Sequence, residues 1–295
     1  ILSKIAITGT GGVAIETGQS DTPGTTGTYS FGASEAGFSG GITFSDPANQ
    51  TLTIQSSSQD TSKQTYTLIS TLDELRDAGS AEYLALAGEI DASSFVITNA
   101  DGSTSDYGSV MTGTYTGTFT GLGNTISNLS LTNTASHTGI FEQANGATVR
   151  DLAIDQATIL GRHFTATLIG RSYGTTSLSN LVLANGSVGL EAVNHLYTGG
   201  VIGYSDGGTA NNIWVKNNPV SGHYMVGGLF GRTLKTIDNA HNIATSVTAQ
   251  GNHYVGCLVG TIDSGTAPLS NSSSTGLITS DRQVCSHVWQ LQVNP

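Results

Sequence analysis

The segment GHYMVGGLFG (222–231) returns in closely similar form as GNHYVGCLVG (251–260), and this repetition decides the fold. Two related segments further upstream end at an equivalent glycine, and one divergent copy, TGIFE, ends at Glu142. With the two segments quoted above, the end points are Glu142, Gly170, Gly203, Gly231 and Gly260. Successive end points lie 28, 33, 28 and 29 residues apart. A period of this length indicates a solenoid, a propeller or another repeat array.

A second repeated element alternates apolar and polar residues. Its copies are ISNLSL (126–131), VRDLAI (149–154), LSNLVL (178–183), ANNIWV (210–215), IDNAHNI (237–243) and LSNSSS (269–274). Two-residue alternation is typical of half-buried strands, and neither element shows helical spacing. The period favours an all-β parallel β-helix with one rung per repeat, because propeller blades are longer and the leucine-rich-repeat signature is missing.

Equivalent residues of a β-helix stack above one another, because neighbouring strands lie about 4.8 Å apart. The alignment of the two elements predicts two interior aliphatic columns: Leu168, Val201, Leu229 and Leu258 in one, and Leu129, Leu152, Leu181 and Ile213 in the other. The repeated glycines are expected where the backbone turns sharply or packs closely.

Asparagine recurs at one phase of the second element. The predicted column contains Asn128, Asn180, Asn212, Asn239 and Asn271, with Asp151 in the second copy. Asparagine tolerates left-handed backbone, and stacked amides can hydrogen-bond along the axis. We therefore interpret these residues as a structural ladder and expect no ligand-binding role for them.

The ends of the chain depart from the repeat. Residues 1–114 are predicted to form N-terminal β-helix rungs with one short helix near 71–78, capped by Ser70, and a polar loop at 97–113. Residues 115–280 are predicted to form the GLUG-like repeat β-helix, and 281–295 an atypical C-terminal cap or tail. The chain opens on Ile1 with neither an initiator Met nor a signal-peptide pattern, so we expect a piece of a longer protein.

Three segments together resemble a known family. They are similar, together with the GGLFG-like units that follow, to GLUG-type repeat regions. The three segments are YTLISTLDELRDAGSAEYLALAGEIDASS (66–94), YTGTFTGLGNTISNLSL (115–131) and TGIFEQANGATVRDLAI (138–154). Such regions occur in filamentous-haemagglutinin-like adhesins exported by two-partner secretion and in the non-catalytic arm of IgA-specific metallopeptidases. The resemblance implies a right-handed parallel β-helix, secretion to the bacterial cell surface, and an outer-membrane transporter as export partner.

Motifs for common catalysts are missing. The sequence contains no HExxH or Walker A string, so we predict no catalytic residue, no metal site and no cofactor. β-Helix enzymes that cleave polysaccharides can instead use carboxylates on adjacent rungs. Asp151, Asp155 and Glu142 are the candidates, but none has an acidic partner at the same phase in the next rungs.

Histidine and aromatic residues precede the repeated glycine. The candidate ligand-binding residues are His195, Tyr197, His223, Tyr224, His253 and Tyr254, with His137, His163 and Phe164 at related positions. A stacked imidazole column could bind a transition metal or titrate near neutral pH, and an aromatic column could contact sugar rings. The simpler interpretation is that these rings fill repeated turn positions and stack between rungs.

Composition limits the partners. Formal net charge is −11, with 10 Lys and Arg against 21 Asp and Glu, which disfavours nucleic acid. No apolar run reaches the length of about 18 residues that suggests a membrane span. We predict a non-catalytic exported adhesin segment that binds host or matrix glycans or proteins. The alternatives are a polysaccharide-binding or polysaccharide-cleaving β-helix protein and a scaffold arm of a surface peptidase.

Overall fold

The fold comes from a computed structural model, which describes residues 3–17, 29–55, 63–80, 82–96, 108–132, 136–190, 196–250, 254–262 and 269–280. This part contains one helix, α1 (Leu72–Asp77). Seven strands precede α1: β1 (Lys4–Ile7), β2 (Gly11–Glu16), β3 (Ala33–Ser34), β4 (Gly37–Phe38), β5 (Gly41–Phe44), β6 (Gln50–Gln55) and β7 (Gln64–Ile69).

The strands after α1 are short and regularly repeated. In chain order they are β8 (Tyr83–Leu86), β9 (Ile90–Asp91), β10 (Ser109–Tyr115), β11 (Thr118–Thr120), β12 (Thr125–Ser127), β13 (Ser130–Thr132), β14 (His137–Asn145), β15 (Thr148–Asp155), β16 (Thr158–Gly161), β17 (Phe164–Thr165), β18 (Ile169–Tyr173), β19 (Ser177–Ala184), β20 (Ser187–Leu190), β21 (Tyr197–Gly199), β22 (Ile202–Asp206), β23 (Thr209–Lys216), β24 (Val220–Gly222), β25 (Met225–Gly227), β26 (Phe230–Thr233), β27 (Thr236–Ile243), β28 (Val247–Ala249), β29 (Tyr254–Gly256), β30 (Val259–Ile262), β31 (Leu269–Ser270), β32 (Ser273–Ser274) and β33 (Ile278–Ser280).

These strands wind into a parallel β-solenoid of about five turns, which confirms the predicted all-β fold. A complete turn passes through three sheets, for example β15 in sheet A, β16 in sheet C, and β17 and β18 in sheet B. Sheet A runs β2-β6-β7-β8-β11-β15-β19-β23-β27-β31, and sheet C runs β13-β16-β20-β24-β28-β33. Sheet B runs β29-β25-β21-β17-β14-β18-β22-β26-β30. The apolar interior between the sheets is continuous along the axis.

The interior columns follow the predicted register with one correction. Leu152, Leu181 and Ile213 are directly paired and fully buried. Leu129, although buried, does not belong to this column. The connection from β11 to β12 is two residues longer than the equivalent stretch of β15, since Thr120 pairs with Arg150 and Thr125 already pairs with Ala153.

The second interior column contains Leu168, Val201 and Leu229, which are fully buried, and Leu258, which is partly buried. The repeated glycine lies two residues after each member of this column, at a corner where the backbones of neighbouring strands come close together. A Cβ on Gly203 would stand 2.7 Å from the Thr165 nitrogen, and one on Gly231 only 2.5 Å from the Gly203 oxygen. Glycine recurs at this corner because the backbones leave no room for a side chain.

Helix α1 lies near its predicted position, but Thr71 rather than Ser70 is the N-cap. The Thr71 hydroxyl accepts a hydrogen bond from the Glu74 amide at 3.1 Å, and the Glu74 carboxylate accepts one from the Ser70 amide at 2.6 Å. The pair resembles a capping box, except that Glu74 accepts from the residue before the N-cap, and it satisfies two backbone donors. Leu72 and Leu75 point into the interior of the solenoid and are buried.

The N-terminal segment departs from simple rungs. Strands β3 and β4 form a small antiparallel hairpin, β6 pairs antiparallel with β7, and β1 pairs with β5. Residues 29–44 lie against the outside of sheet A and build a second, smaller core with it. We call residues 29–44 the strap. The proposed domain boundaries stay predictions, and the tail 281–295 lies outside the described residues.

The Arg150–Asp151 pair fastens the strap. The Arg150 guanidinium donates to the Asp151 carboxylate at 2.6 Å and to the Tyr29 carbonyl at 2.9 Å, and it lies 4.2 Å from the Tyr29 ring centroid. A weaker contact joins Glu35 to Lys216 at 3.2 Å. Across the described ranges, no helix is long and apolar enough to cross a membrane.

Candidate functional site

Two columns of outward side chains run side by side along sheet B. The first contains His137, Phe164, Tyr197, Met225 and Tyr254, one residue from each successive rung. The second contains Gln143, Arg171, Tyr204, Arg232 and Thr261. We define the aromatic–arginine face as His137, Phe164, Arg171, Tyr173, Tyr197, Tyr204, Asp206 and Arg232.

The rings of the first column stack along the solenoid axis. The centroids of His137 and Phe164 are 4.6 Å apart with planes inclined by 12°, and those of Phe164 and Tyr197 are 5.1 Å apart at 23°. Tyr204 meets Tyr197 edge-on, with a centroid distance of 5.0 Å. Since stacked rings cover each other's faces, this column presents mainly ring edges to solvent.

The two arginines lie on either side of Tyr204 in the second column. The Arg171 guanidinium is 5.4 Å from the centroids of both Tyr173 and Tyr204 and 5.8 Å from that of Phe164. Arg232 lies 5.0 Å from the Tyr204 centroid and donates to the Tyr197 hydroxyl at 3.3 Å. Cation–π contacts of this kind hold the guanidinium groups in defined positions.

Protonation states on this face follow from burial. Burial, and then the hydrogen bond to Asp206, raises the pKa of Tyr204 to about 12, so this hydroxyl stays protonated and donates to Asp206 at neutral pH. Burial lowers the pKa of His137, against the opposing effect of Glu142, whose carboxylate is 3.8 Å away. The His137 imidazole is therefore mostly neutral at pH 7.

The predicted histidine–aromatic residues separate into different columns. Tyr197 lies in the aromatic–arginine face, and Tyr254 lies two rungs further along the same column with 46% of its surface exposed. His223 packs edge-on against Tyr224, at a centroid distance of 4.5 Å, but Met225 rather than Tyr224 is in register with Tyr197.

A continuous imidazole column is the wrong interpretation. His137 pairs with Phe164, whereas the His163 carbonyl accepts from the Tyr197 amide, so the two histidines belong to neighbouring columns. His195 and His253 lie outside the described residues. Within the residues that the structure describes, no group of three or more His, Cys, Asp or Glu side chains could hold a metal ion.

The asparagine ladder forms over four rungs, joined by three hydrogen bonds. Asn180 donates to the Asp151 carboxylate at 2.9 Å, Asn212 to Asn180 at 2.9 Å, and Asn239 to Asn212 at 3.0 Å. All four backbones have positive φ, between 52° and 54°. Asn271 shares this conformation, but its amide donates to Asp238 instead, at 2.8 Å.

Asn128 lies in a second ladder and not, as the sequence alignment predicts, above Asn180. Its neighbour Ser127 pairs with Asp155, which puts Asn128 level with Gln156, and its amide donates to Asp91 at 2.9 Å. Further along this second ladder, Asn185 donates to Asp155 at 2.8 Å and Asn217 to Asn185 at 3.2 Å.

The candidate carboxylates are engaged in structural contacts. Asp151 is fully buried; burial raises its pKa, and Arg150 opposes that shift. Asp155 accepts from Asn185, and Glu142 accepts from the Gly113 amide at 2.7 Å. The ladder contacts explain the positions of Asp151 and Asp155 without a catalytic role.

Sequence reasoning missed the second column of the face. Arg171, Tyr204 and Arg232 each follow the repeated corner glycine directly, in the strings IGR, IGY and FGR. The repeat alignment ends at the glycine and so leaves these residues out. Extending it by one position would have shown an Arg–Tyr–Arg pattern on three successive rungs.

Comparisons with known proteins add a fold likeness. No protein-family profile and no curated protein matches the chain. A solved structure of a candidate immunoglobulin A1 protease from Bacteroides ovatus is similar, with 16% sequence identity, a TM-score of 0.47, and 77% of each chain covered. A likeness at that level does not bear on function. The fold and the face define this chain as a parallel β-solenoid with an ordered aromatic–arginine surface.

Proposed function

We propose that this chain is a non-catalytic segment of an adhesin exported to the bacterial cell surface. In this role the solenoid is a rigid stalk, and its outward side chains contact host or matrix glycans or proteins. Export through an outer-membrane two-partner-secretion transporter belongs to the same proposal. Stacked rungs satisfy their backbone hydrogen bonds along the axis, and a repeat array of this kind can present surface groups far from an anchor.

The aromatic–arginine face is the observation that supports a binding role. Aromatic rings and arginines from consecutive rungs are held in register by the parallel strands rather than by a loop. Aromatic and arginine side chains are also the residue types that dominate binding energy at protein surfaces. Rigid positioning lowers the entropy that such side chains lose when a ligand binds.

A solid-phase binding assay tests the proposal. The full chain is applied to a panel of glycans and matrix proteins, and Tyr197→Ala is compared with Tyr83→Ala, which removes a partly exposed ring from sheet A. We expect saturable binding that Tyr197→Ala weakens by about tenfold or more and Tyr83→Ala leaves unchanged. Circular dichroism shows whether each variant is folded.

Two results would contradict the proposal. Absence of binding to every member of the panel would contradict the adhesin role. Release of new reducing ends from a polysaccharide, lost in Glu142→Ala, would show the polysaccharide-cleaving alternative instead. The third possibility, a scaffold arm of a surface peptidase, requires an HExxH motif elsewhere in the parent gene.

A further inference from the structure

Arg171 differs from Arg76 and Arg150 in its hydrogen bonding. Arg150 donates to Asp151 and Tyr29, and Arg76 makes three hydrogen bonds to Asp73 and Asp77. In the described part of the chain Arg171 donates no hydrogen bond, and its Nε is buried without an acceptor. Its side chain keeps 38% of its surface exposed.

The surrounding rings hold this guanidinium in place without using its donors. Phe164, Tyr173 and Tyr204 all lie within 6 Å, as measured to the ring centroids. Asp206 forms an ion pair with Arg171, but its Oδ2 is 3.8 Å from an Nη atom, too far for a hydrogen bond, and its Oδ1 accepts from the Tyr204 hydroxyl. Arg171 therefore presents its two Nη groups as a positioned fork, a geometry that can bind a carboxylate through two hydrogen bonds.

Hydroxyl, amide and carboxylate groups lie close to Arg171, since Gln143 is its neighbour in the column and the Tyr173 ring centroid is 5.4 Å from the guanidinium. The Tyr173 hydroxyl lies 2.8 Å from the Gln143 amide oxygen and 3.1 Å from the Thr114 hydroxyl, and Asp206 adds an acceptor. A ligand that places one carboxylate on Arg171 would therefore meet groups suited to several hydroxyls. A sugar acid combines these features, whereas an acidic peptide side chain carries no hydroxyls.

We propose that Arg171 binds the carboxylate of a terminal acidic sugar on an otherwise neutral oligosaccharide. This inference rests on the proposed function, because it names the ligand class of the same face. A densely charged polyanion fits less well, since the chain has a net charge of −11 and would repel it. A single carboxylate on a neutral, hydroxyl-rich ligand avoids most of that repulsion.

Isothermal titration of the full chain with sialyllactose and with lactose tests this proposal, since the two probes differ by the acidic sugar. We expect sialyllactose to bind about tenfold or more tightly than lactose, the usual effect of hydrogen bonds to a charged group. Arg171→Gln should bring the two affinities together. Arg171→Lys keeps the charge but loses the fork, so it should lose most of the preference.

The matched control is Lys63→Gln, which removes one positive charge from an exposed side chain in the N-terminal segment. It should leave the preference unchanged. Circular dichroism establishes folding, and Arg171→Lys decides the outcome if Arg171→Gln does not fold.

Each other outcome has one meaning. Equal binding of the two sugars, or binding of another panel member but of neither sugar, would overturn the acidic-sugar inference and leave the proposed function standing. Arg171-dependent binding of a glutamate-rich peptide, with no binding of sialyllactose, would overturn it in favour of a peptide ligand. No binding to either sugar, to the peptide or to the wider panel would overturn both proposals.

Discussion

Lys235→Met should flatten the dependence of stability on pH. The Lys235 side chain is fully buried, and its ammonium nitrogen donates to the Thr176 carbonyl at 2.7 Å and the Gly207 carbonyl at 2.9 Å. These contacts join the turns that precede three successive strands, β19, β23 and β27. The described residues provide no ion-pair partner, and burial lowers the pKa of Lys235 from 10.5 to about 7.

The sign and size of the effect follow from proton linkage. Between pH 7 and pH 10.5 the unfolded chain holds a proton on Lys235 that the folded chain lacks, so the free energy of unfolding rises with pH. A difference of one proton corresponds to about 1.4 kcal/mol per pH unit. From about pH 7.5 to about pH 9.5 the Lys235 contribution is therefore roughly 2–3 kcal/mol.

Urea unfolding at several pH values, with a reductant present, measures this slope for the wild type and for Lys235→Met. The variant also loses two hydrogen bonds, which costs about 1 kcal/mol each at any pH, so the diagnostic quantity is the slope. The range stops below about pH 10 because tyrosines of the unfolded chain ionise there. Lys63→Met, at an exposed lysine, should keep the wild-type slope. Equal slopes for Lys235→Met and wild type would refute the reasoning.

Three further changes test the packing by their effect on the free energy of unfolding. Gly231→Ala should lower the free energy of unfolding by about 1–3 kcal/mol or more, because the added Cβ would overlap backbone atoms. Gly88→Ala, with no atom within 4 Å of its added Cβ, should be neutral or slightly stabilising, and equal costs for the two variants would contradict the close-packing argument. Asn212→Ala should lower the free energy of unfolding by about 2 kcal/mol, because it removes the ladder hydrogen bonds and puts alanine in a left-handed backbone conformation. Asn212→Gly should cost less, since glycine adopts that conformation without strain, and the reverse order would contradict the strain argument. Arg150→Met should lower the free energy of unfolding by about 3–5 kcal/mol and expose the strap to limited proteolysis, because it leaves the buried Asp151 charge uncompensated. The double variant with Asp151→Asn should recover part of this loss, and no recovery would mean that lost packing, not charge, is responsible.

The candidate site was only partly accessible from the sequence. Tyr197 was identified because it precedes the repeated glycine, but its ring contacts with Phe164 and Tyr204 depend on which rungs lie next to each other. The histidines also precede the repeated corner, but His137 lies five residues before Glu142 and His163 seven residues before Gly170. With one extra residue between the paired positions of the later rung, the two histidines fall in adjacent columns. A shift of one residue moves a strand side chain to the opposite face, so sequence phase alone could not assign these columns.

The sequence by itself determined the solenoid, because only strands stacked in parallel register make each repeat meet the same neighbours above and below. It also determined the corner glycines and the asparagine ladder over the later rungs, where the repeat is most regular. The tertiary structure alone decided three features: the shift of Asn128 into a second ladder, the strap across sheet A, and the reach of Lys235 to Thr176. Each depends on which distant backbone segments lie side by side, and local periodicity carries no information about that.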